Sequence, residues 1–428
     1  MGYNFFDIKE VKQSFDKKLN EFIYSLGTSI GEGKDISFAD NDITYMLKLQ
    51  HDRIVEKGLE IEYEVYPREK EYKPFIAGSN WKDSHYESVV CFKQCGVKRS
   101  IKRDGKRLYK DNRKSVLYET MTDVLTGSHP DNDTFCCPNC GAVSTIAELQ
   151  NGCPYCRTKY KMDDLFPKVT GYYFRDDVAP AGSENKIGMI VSMVICTVFL
   201  FFTASFAKLF TFSFDNIPGF IGGMIWIALL SPVFGVVSGY FTYSFFLLFR
   251  LFAVAISTSS KMGTAGSRSK FESRMKKISP EFSFEYFTSK AISLIKTAVY
   301  SKDEKELLFF KGEALDSEMK DIIDMNYGGA LGVGKIKEEN GIVTVNANAF
   351  FDVLYAKGDK VFLKHQIFET TFQRRTDIPV NFNFSMTRIS CPSCGISYDA
   401  TKNKYCPGCG NEYEIISDDW ALVDVKLK

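Results

Sequence analysis

The chain has almost no charge excess: 54 lysines and arginines face 53 aspartates and glutamates, for a formal net charge of +1. That balance excludes the broad cationic field with which a nucleic-acid binder holds phosphate, so no nucleic-acid partner is expected. Histidine is scarce too, with His51, His85, His129 and His365 the full complement among 428 residues. With no nucleophile motif, glycine-rich oxyanion turn or paired-carboxylate signature either, catalysis has no positive support and the chain reads as a non-enzyme. The N-terminus lacks the pattern of a secretory signal, and Asp7, Glu10 and Asp16 make it unlike a transit peptide. A secreted, disulfide-stapled fold is thereby disfavoured.

What the chain does have is cysteine in an ordered arrangement. Eight of its twelve cysteines form two matching sets, Cys137, Cys140, Cys153 and Cys156, and Cys391, Cys394, Cys406 and Cys409. Each set is a pair of Cys-x-x-Cys knuckles, whose four thiolates close a tetrahedron around Zn²⁺ at about 2.3 Å. Two zinc ions per chain are expected, in ribbons spanning residues 136–160 and 390–411. The glycines after Cys140, Cys394 and Cys409 suit the tight turn of a knuckle. Thiolate ligands favour reducing surroundings. Of the other cysteines, Cys91 and Cys95 read as strand or turn thiols, Cys196 falls in an apolar helix, and Cys136 is an alternate ligand to Cys137.

Between the two sets lies a long apolar stretch. Ile187 to Phe206 runs without a charge, long enough for a helix to cross the roughly 30 Å of bilayer hydrocarbon. A second apolar run, Gly219 to Phe249, exceeds one span; a tilted or Pro232-kinked helix is expected, with a third, re-entrant segment as the alternative. The reading is a transmembrane hairpin within residues 179–256, its helices at about 187–208 and 219–249. Arg175 and Lys186 precede it, and Arg250, Lys261, Arg268, Lys270, Arg274, Lys276 and Lys277 follow it, whereas the connecting loop offers only Lys208. Both termini should therefore be cytosolic, in a two-span membrane protein. The 257–278 segment, rich in Ser, Gly and basic residues, reads as a flexible tether near lipid headgroups.

The flanking halves look like diverged copies. Aligned on their cysteines, they place Gly105 opposite Gly358, and the Met162–Phe174 run opposite Ser417–Leu427. Each opens with an amphipathic helix: Ile8, Val11, Phe15, Leu19, Phe22 and Leu26 in the first, and Phe284, Phe287, Ala291, Leu294 and Ala298 in the second, with Ser283 as its cap. The period then changes to two. Leu59, Ile61, Tyr63 and Val65 alternate with glutamates, Val343 to Tyr355 alternate with mostly polar residues, and Val380, Phe382, Phe384 and Met386 do the same. An α+β fold follows, of two domains (1–178 and 279–428), each with a zinc ribbon inserted before its last strand.

The run SPEFSFEYFTSKAISLIKTAVYSKDEKEL from Ser279, with Asp418, Asp419, Trp420, Ala421 and Leu422 near the end, resembles the C-terminal domain of the forty-four-kilodalton subunit of the mitochondrial inner-membrane translocase. The resemblance covers Ser279 to Lys428 and is closest to membrane-anchored, zinc-ribbon bacterial forms labelled transport-like, which implies a bacterial cytoplasmic membrane as the location. It implies a cone of bent sheet and helices like that of nuclear transport factor two, with an apolar pocket that takes membrane lipid or apolar polypeptide. The segment with which the mitochondrial subunit binds its chaperone has no counterpart here, so import-motor function does not carry over. The expected function is that of a membrane-anchored binding or scaffold protein. An enzyme with its site in the cone near His365 and a ribbon-mediated nucleic-acid or protein adaptor are the alternatives.

Three weaker patterns remain. Gly329 to Lys335 nearly spells a phosphate-binding loop, but Ile336 replaces the magnesium-binding hydroxyl, and the run is expected to follow a helix (Ala314 to Met325) rather than open one. Gly27 to Lys34 reads as a loop. His365 and Glu369 lie on one strand face and would make a buried acid–base pair if that face lined the cone.

Overall fold

A computed structural model describes residues 7–68, 75–82, 86–124, 132–176, 185–257, 259–378 and 385–428. The chain divides into two compact units, one combining Met1–Asp177 with Thr264–Lys428 and the other Val178–Gly263.

In the first half of the large unit, helices α1 (Asp7–Glu32) and α2 (Asn41–Glu56) precede strands β1 (Glu60–Pro67), β2 (Phe75–Lys82), β3 (Tyr86–Arg103) and β4 (Lys106–Val124). A ribbon of β5 (Thr134–Cys136), β6 (Val143–Thr145) and α3 (Ile146–Asn151) comes next, then the short α4 (Met162–Leu165) and the closing strand β7 (Lys168–Asp176). The small unit holds α5 (Asn185–Leu209) and α6 (Ile217–Ser257). Helix α7 (Ser259–Ile278) leads into the second half, with α8 (Phe284–Tyr300), strands β8 (Ile322–Glu339), β9 (Ile342–Lys357) and β10 (Lys360–Arg375), a ribbon of β11 (Arg388–Ser390) and β12 (Ser397–Asp399), and β13 (Ala421–Leu427).

The two sheets repeat one topology. The first runs β1-β3-β4-β7, with β2 added to β3, and the second runs β8-β9-β10-β13. In each, a ribbon is inserted between the last two strands, as the cysteine alignment implies. The likeness extends to detail: Gly105 and Gly358 both turn the central hairpin with positive φ. The last strand slips register at Thr120/Met121 in one sheet and Thr371/Phe372 in the other. Ala39 bridges Val169 in parallel in the first half, and Phe310 bridges Leu422 in the second.

Sequence periodicity accounts for the buried faces. Strand β1 alternates as expected, with Ile61, Tyr63 and Val65 inward. On β9 every second residue from Val343 to Tyr355 is buried. Leu19, Phe22 and Leu26 of α1 are buried, and the Ser283 hydroxyl caps α8 by accepting from the Tyr286 amide. The side chains of Ile8, Val11 and Phe15 and the run Val380 to Phe384 lie outside the described residues.

Four expectations change. Gly27 and Gly31 lie within α1 rather than a loop. A Cβ on Gly27 would sit 2.2 Å from the Tyr63 carbonyl oxygen, so glycine lets the helix lie directly on β1. No helix runs from Ala314 to Met325: a 3₁₀ turn, Ser317–Asp321, passes into β8, because Ile322 and Met325 pair with β9. The 257–278 segment is not a loose tether but helix α7, whose Phe271 and Met275 are buried, with Phe271 against the rings of Phe282, Phe284 and Phe287. Finally, the halves share one hydrophobic core instead of forming separate cones. Buried polar groups join them as well. Arg99 pairs with Asp324 at 2.5 Å and with Asp111, and Arg53 of α2 donates to the carbonyls of Val299 and Ser301 at the end of α8.

In the small unit, Gly188–Leu209 and Phe214–Phe246 are long and apolar enough to cross a membrane. Helix α6 continues through Pro232 as one helix. The two helices pack where Gly235 meets Thr197 and Gly239 meets Met193, a close approach that small residues permit. The Ser192 hydroxyl donates to the Gly239 carbonyl at 3.1 Å. Large apolar side chains such as Phe199, Phe202, Trp226, Phe241 and Phe245 point outward, exposed.

Candidate metal centres and a polar cavity

Each of the four knuckles closes in the same way. The amide four residues after the leading cysteine donates to that cysteine's carbonyl: Gly141 to Cys137, Arg157 to Cys153, Gly395 to Cys391 and Gly410 to Cys406, at 2.7–2.8 Å. The leading cysteine's own amide donates to the carbonyl one residue further on. This turn requires a left-handed residue at its end, which glycine supplies three times and Arg157, with φ +64°, the fourth.

The turns bring the sulfurs together. Cys137, Cys140, Cys153 and Cys156 present four Sγ atoms within 4.8 Å of one another, as do Cys391, Cys394, Cys406 and Cys409. Individual separations are 3.6 Å (Cys137–Cys156), 3.8 Å (Cys140–Cys153) and 3.5 Å (Cys391–Cys409 and Cys394–Cys406). A tetrahedron with sulfurs about 2.3 Å from its centre has edges of about 3.8 Å. The all-thiolate donor set and its spacing therefore fit a closed structural zinc site, with no open position for substrate. Cys136 is not part of it; its Sγ points to the Arg388 carbonyl, 3.9 Å away.

The ribbons are built around their own small cores, Phe135, Ile146, Leu149, Leu165 and Phe166 in the first and Leu308, Ile389, Tyr398 and Ala400 in the second. They also touch. The Val143 amide donates to the Ser397 hydroxyl at 2.7 Å, and Gly141 lies against the Arg388 guanidinium.

The remaining sequence candidates separate. His365 is exposed and pairs with Asp352 at 2.5 Å, while Glu369 pairs with Lys428, so no buried acid–base pair forms. The Gly329–Gly334 run lies in β8, where Gly329 (φ +77°) falls in a register slip, and Lys335 is exposed. Cys91 and Cys95 are buried in β3, and burial raises the Cys95 thiol to about 12. His85 and His129 lie outside the described residues. In the second half, Phe287 packs against Phe372 and Trp420, and Phe351 against Phe368, so these rings fill the core.

A cavity of about 390 Å³ lies elsewhere, and its lining is polar. Its walls are the α1–α2 connection (Asp35 to Thr44), Phe135, Cys136 and Pro138 of the first ribbon, Lys168 and Thr170 at the start of β7, and Ser385. Helix α8 contributes Tyr286, Ser289, Lys290 and Ser293, one face at spacings of three and four. Asp42, buried beside it, accepts from the amides of Met386 (2.9 Å) and Thr387 (3.2 Å) and the hydroxyl of Ser385 (2.8 Å), anchoring the root of the second ribbon. Lys290 bonds the fully buried Asp419 at 2.8 Å and lies 3.8 Å from Asp42, and the Tyr286 hydroxyl donates to Asp419 at 2.7 Å. Burial, reinforced by the charge of Asp42, raises the Asp40 carboxyl to about 7, while burial lowers the Lys168 ammonium. Sequence reading missed this site, because its lining residues come from segments far apart in the chain.

No protein-family model, curated protein or solved structure matches the chain.

Proposed function

We propose that this protein is a membrane-anchored, zinc-stabilised scaffold that uses its large unit to bind a polypeptide partner, and that it is not an enzyme. The observation that carries the reading is the shared core. The segments before and after the two apolar helices pack into one unit, which requires an even number of membrane crossings. A two-span hairpin satisfies that requirement, and the basic residues flanking it favour the cytosol for both ends. Reducing surroundings on that side suit eight thiolate ligands.

The zinc ions would be held by the two cysteine tetrads. Bound there, zinc supplies folding free energy and leaves the chemistry of the cysteines closed. Paired ribbons form a braced edge on which Tyr155, Ile396 and Tyr405 stand exposed, apolar groups suited to a polypeptide partner. Lipid contact belongs to the outward-facing aromatic side chains of the hairpin. In the second half, Phe287 packs on Phe372 and Trp420, and Phe351 on Phe368, which favours docking over a lipid cavity there.

Orientation is tested with Lys428→Cys in intact cells, treated with a membrane-impermeant thiol reagent before and after permeabilisation. Labelling only after permeabilisation is expected. Labelling of intact cells would remove the two-span, cytosolic arrangement.

A further inference from the structure

The polar cavity is short of partners in two opposite senses. The Lys168 ammonium, which has three protons to donate, makes no hydrogen bond or ion pair among the described residues and rests over the rings of Phe135 and Phe166, 4.1 and 5.4 Å from their centroids. Carboxylates also outnumber ammonium groups: Asp35, Asp40 and Asp42 line the cavity with Lys168 and Lys290, and Asp419 bonds Lys290 at 2.8 Å. Asp42 and Asp419 are committed to amides, hydroxyls and Lys290, whereas among the described residues the Asp40 side chain accepts only from the Ile43 amide, at 2.8 Å. Lys168 and Asp40 feel each other's charge across the cavity, but among the described residues neither makes a direct ion pair, so each has room for a closer partner.

The volume, about 390 Å³, falls within the roughly 300–1,000 Å³ of small-molecule sites. Thr44, Thr170, Ser289 and Ser293 provide hydroxyls along the wall. A lone anion would face the carboxylate excess, and a lone cation would leave Lys168 without a direct ion pair, so a ligand with both charges completes the site. We propose that the cavity binds a small zwitterion, its carboxylate or phosphate on Lys168 and its primary ammonium on Asp40. A free amino acid and an aminoalkyl phosphate share this chemistry. The walls come from both halves and from the first ribbon, so the site exists only in the assembled, zinc-loaded unit.

Calorimetric titration of the full-length, zinc-loaded protein in detergent tests this. The probes are glycine, L-serine and O-phosphoethanolamine, each set against analogues lacking one charge: acetate, ethyl phosphate and ethanolamine. Saturable binding of at least one zwitterion, at least about tenfold tighter than its single-charge analogues, is expected, and the amino-acid and phosphate arms identify the source. Lys168→Gln and Asp40→Asn should each weaken that binding about tenfold or more, while Lys364→Gln, on the exposed face of β10, should not. If Lys168→Gln loses zinc and hence its fold, Ser293→Leu, which fills the cavity from α8, must abolish binding instead. Failure of every zwitterion to bind at about 10 mM, or binding indifferent to these substitutions, overturns the proposal. Neither result bears on the zinc content or the orientation of the chain.

Discussion

Arg157 occupies the only knuckle end without glycine, yet it adopts the same left-handed turn as Gly141, Gly395 and Gly410. A side chain there costs about 1 kcal/mol that glycine avoids. Arg157→Gly is therefore expected to stabilise the first ribbon by about 0.5–1 kcal/mol, measured as a higher melting temperature and slower zinc loss to a chelator. Asp40 stores a different cost. Its carboxyl is raised from an ordinary 3.8 to about 7 by burial and the neighbouring Asp42 charge, with Lys168 and Lys290 opposing. The folded state then holds a proton that the unfolded chain has released. This group's contribution to stability is thus present below the unfolded value and is lost as pH rises through about 7. Asp40→Asn keeps the cap of α2 without the charge. It should stabilise the protein by about 1–3 kcal/mol more at pH 8 than at pH 4, as read by denaturant unfolding at both pH values; an equal effect at both would remove the assignment.

At the scale of elements, close backbone contact decides what the sequence pattern alone leaves open. Gly27→Val should destabilise the large unit by more than about 2 kcal/mol, because its Cβ would meet the Tyr63 carbonyl at 2.2 Å. A melting temperature unchanged by the substitution would show that α1 does not rest on β1. The same glycines explain why this helix end was read as a loop: Gly-Thr-Ser-Ile-Gly scores as flexible until a strand is placed beneath it. Elements with strong periodicity were legible, including β1, β9, α8 and both apolar helices, since each buries one face or is apolar all round. Strand β8 was not, because its glycines and register slips break the alternation, and its first residues, Ile322, Ile323 and Met325, fit a helix equally well. The cysteine tetrads were legible in full, as knuckle spacing is local. The cavity was not, because Asp40, Lys168 and Lys290 meet only through the packing of three distant segments.

On the scale of the whole molecule, one strand order is used twice. Two copies of one helix, sheet and ribbon unit came through in the cysteine alignment and recur in strand order, hairpin glycines and parallel bridges. What duplication did not reveal is that the copies merge. Buried contacts such as Arg53 to Val299 and Asp42 to Met386 tie each half to the other, so that α2 and the second ribbon's root depend on chain from both sides of the apolar helices. The cysteine tetrads belong to the ribbons, which meet through Val143 and Ser397. Loss of one metal should therefore loosen both halves. The most direct measurement is elemental analysis of the full-length protein, purified under reducing conditions without chelator. It should return about two zinc equivalents per chain, and about one for Cys391→Ser; a wild-type value near zero would contradict the account.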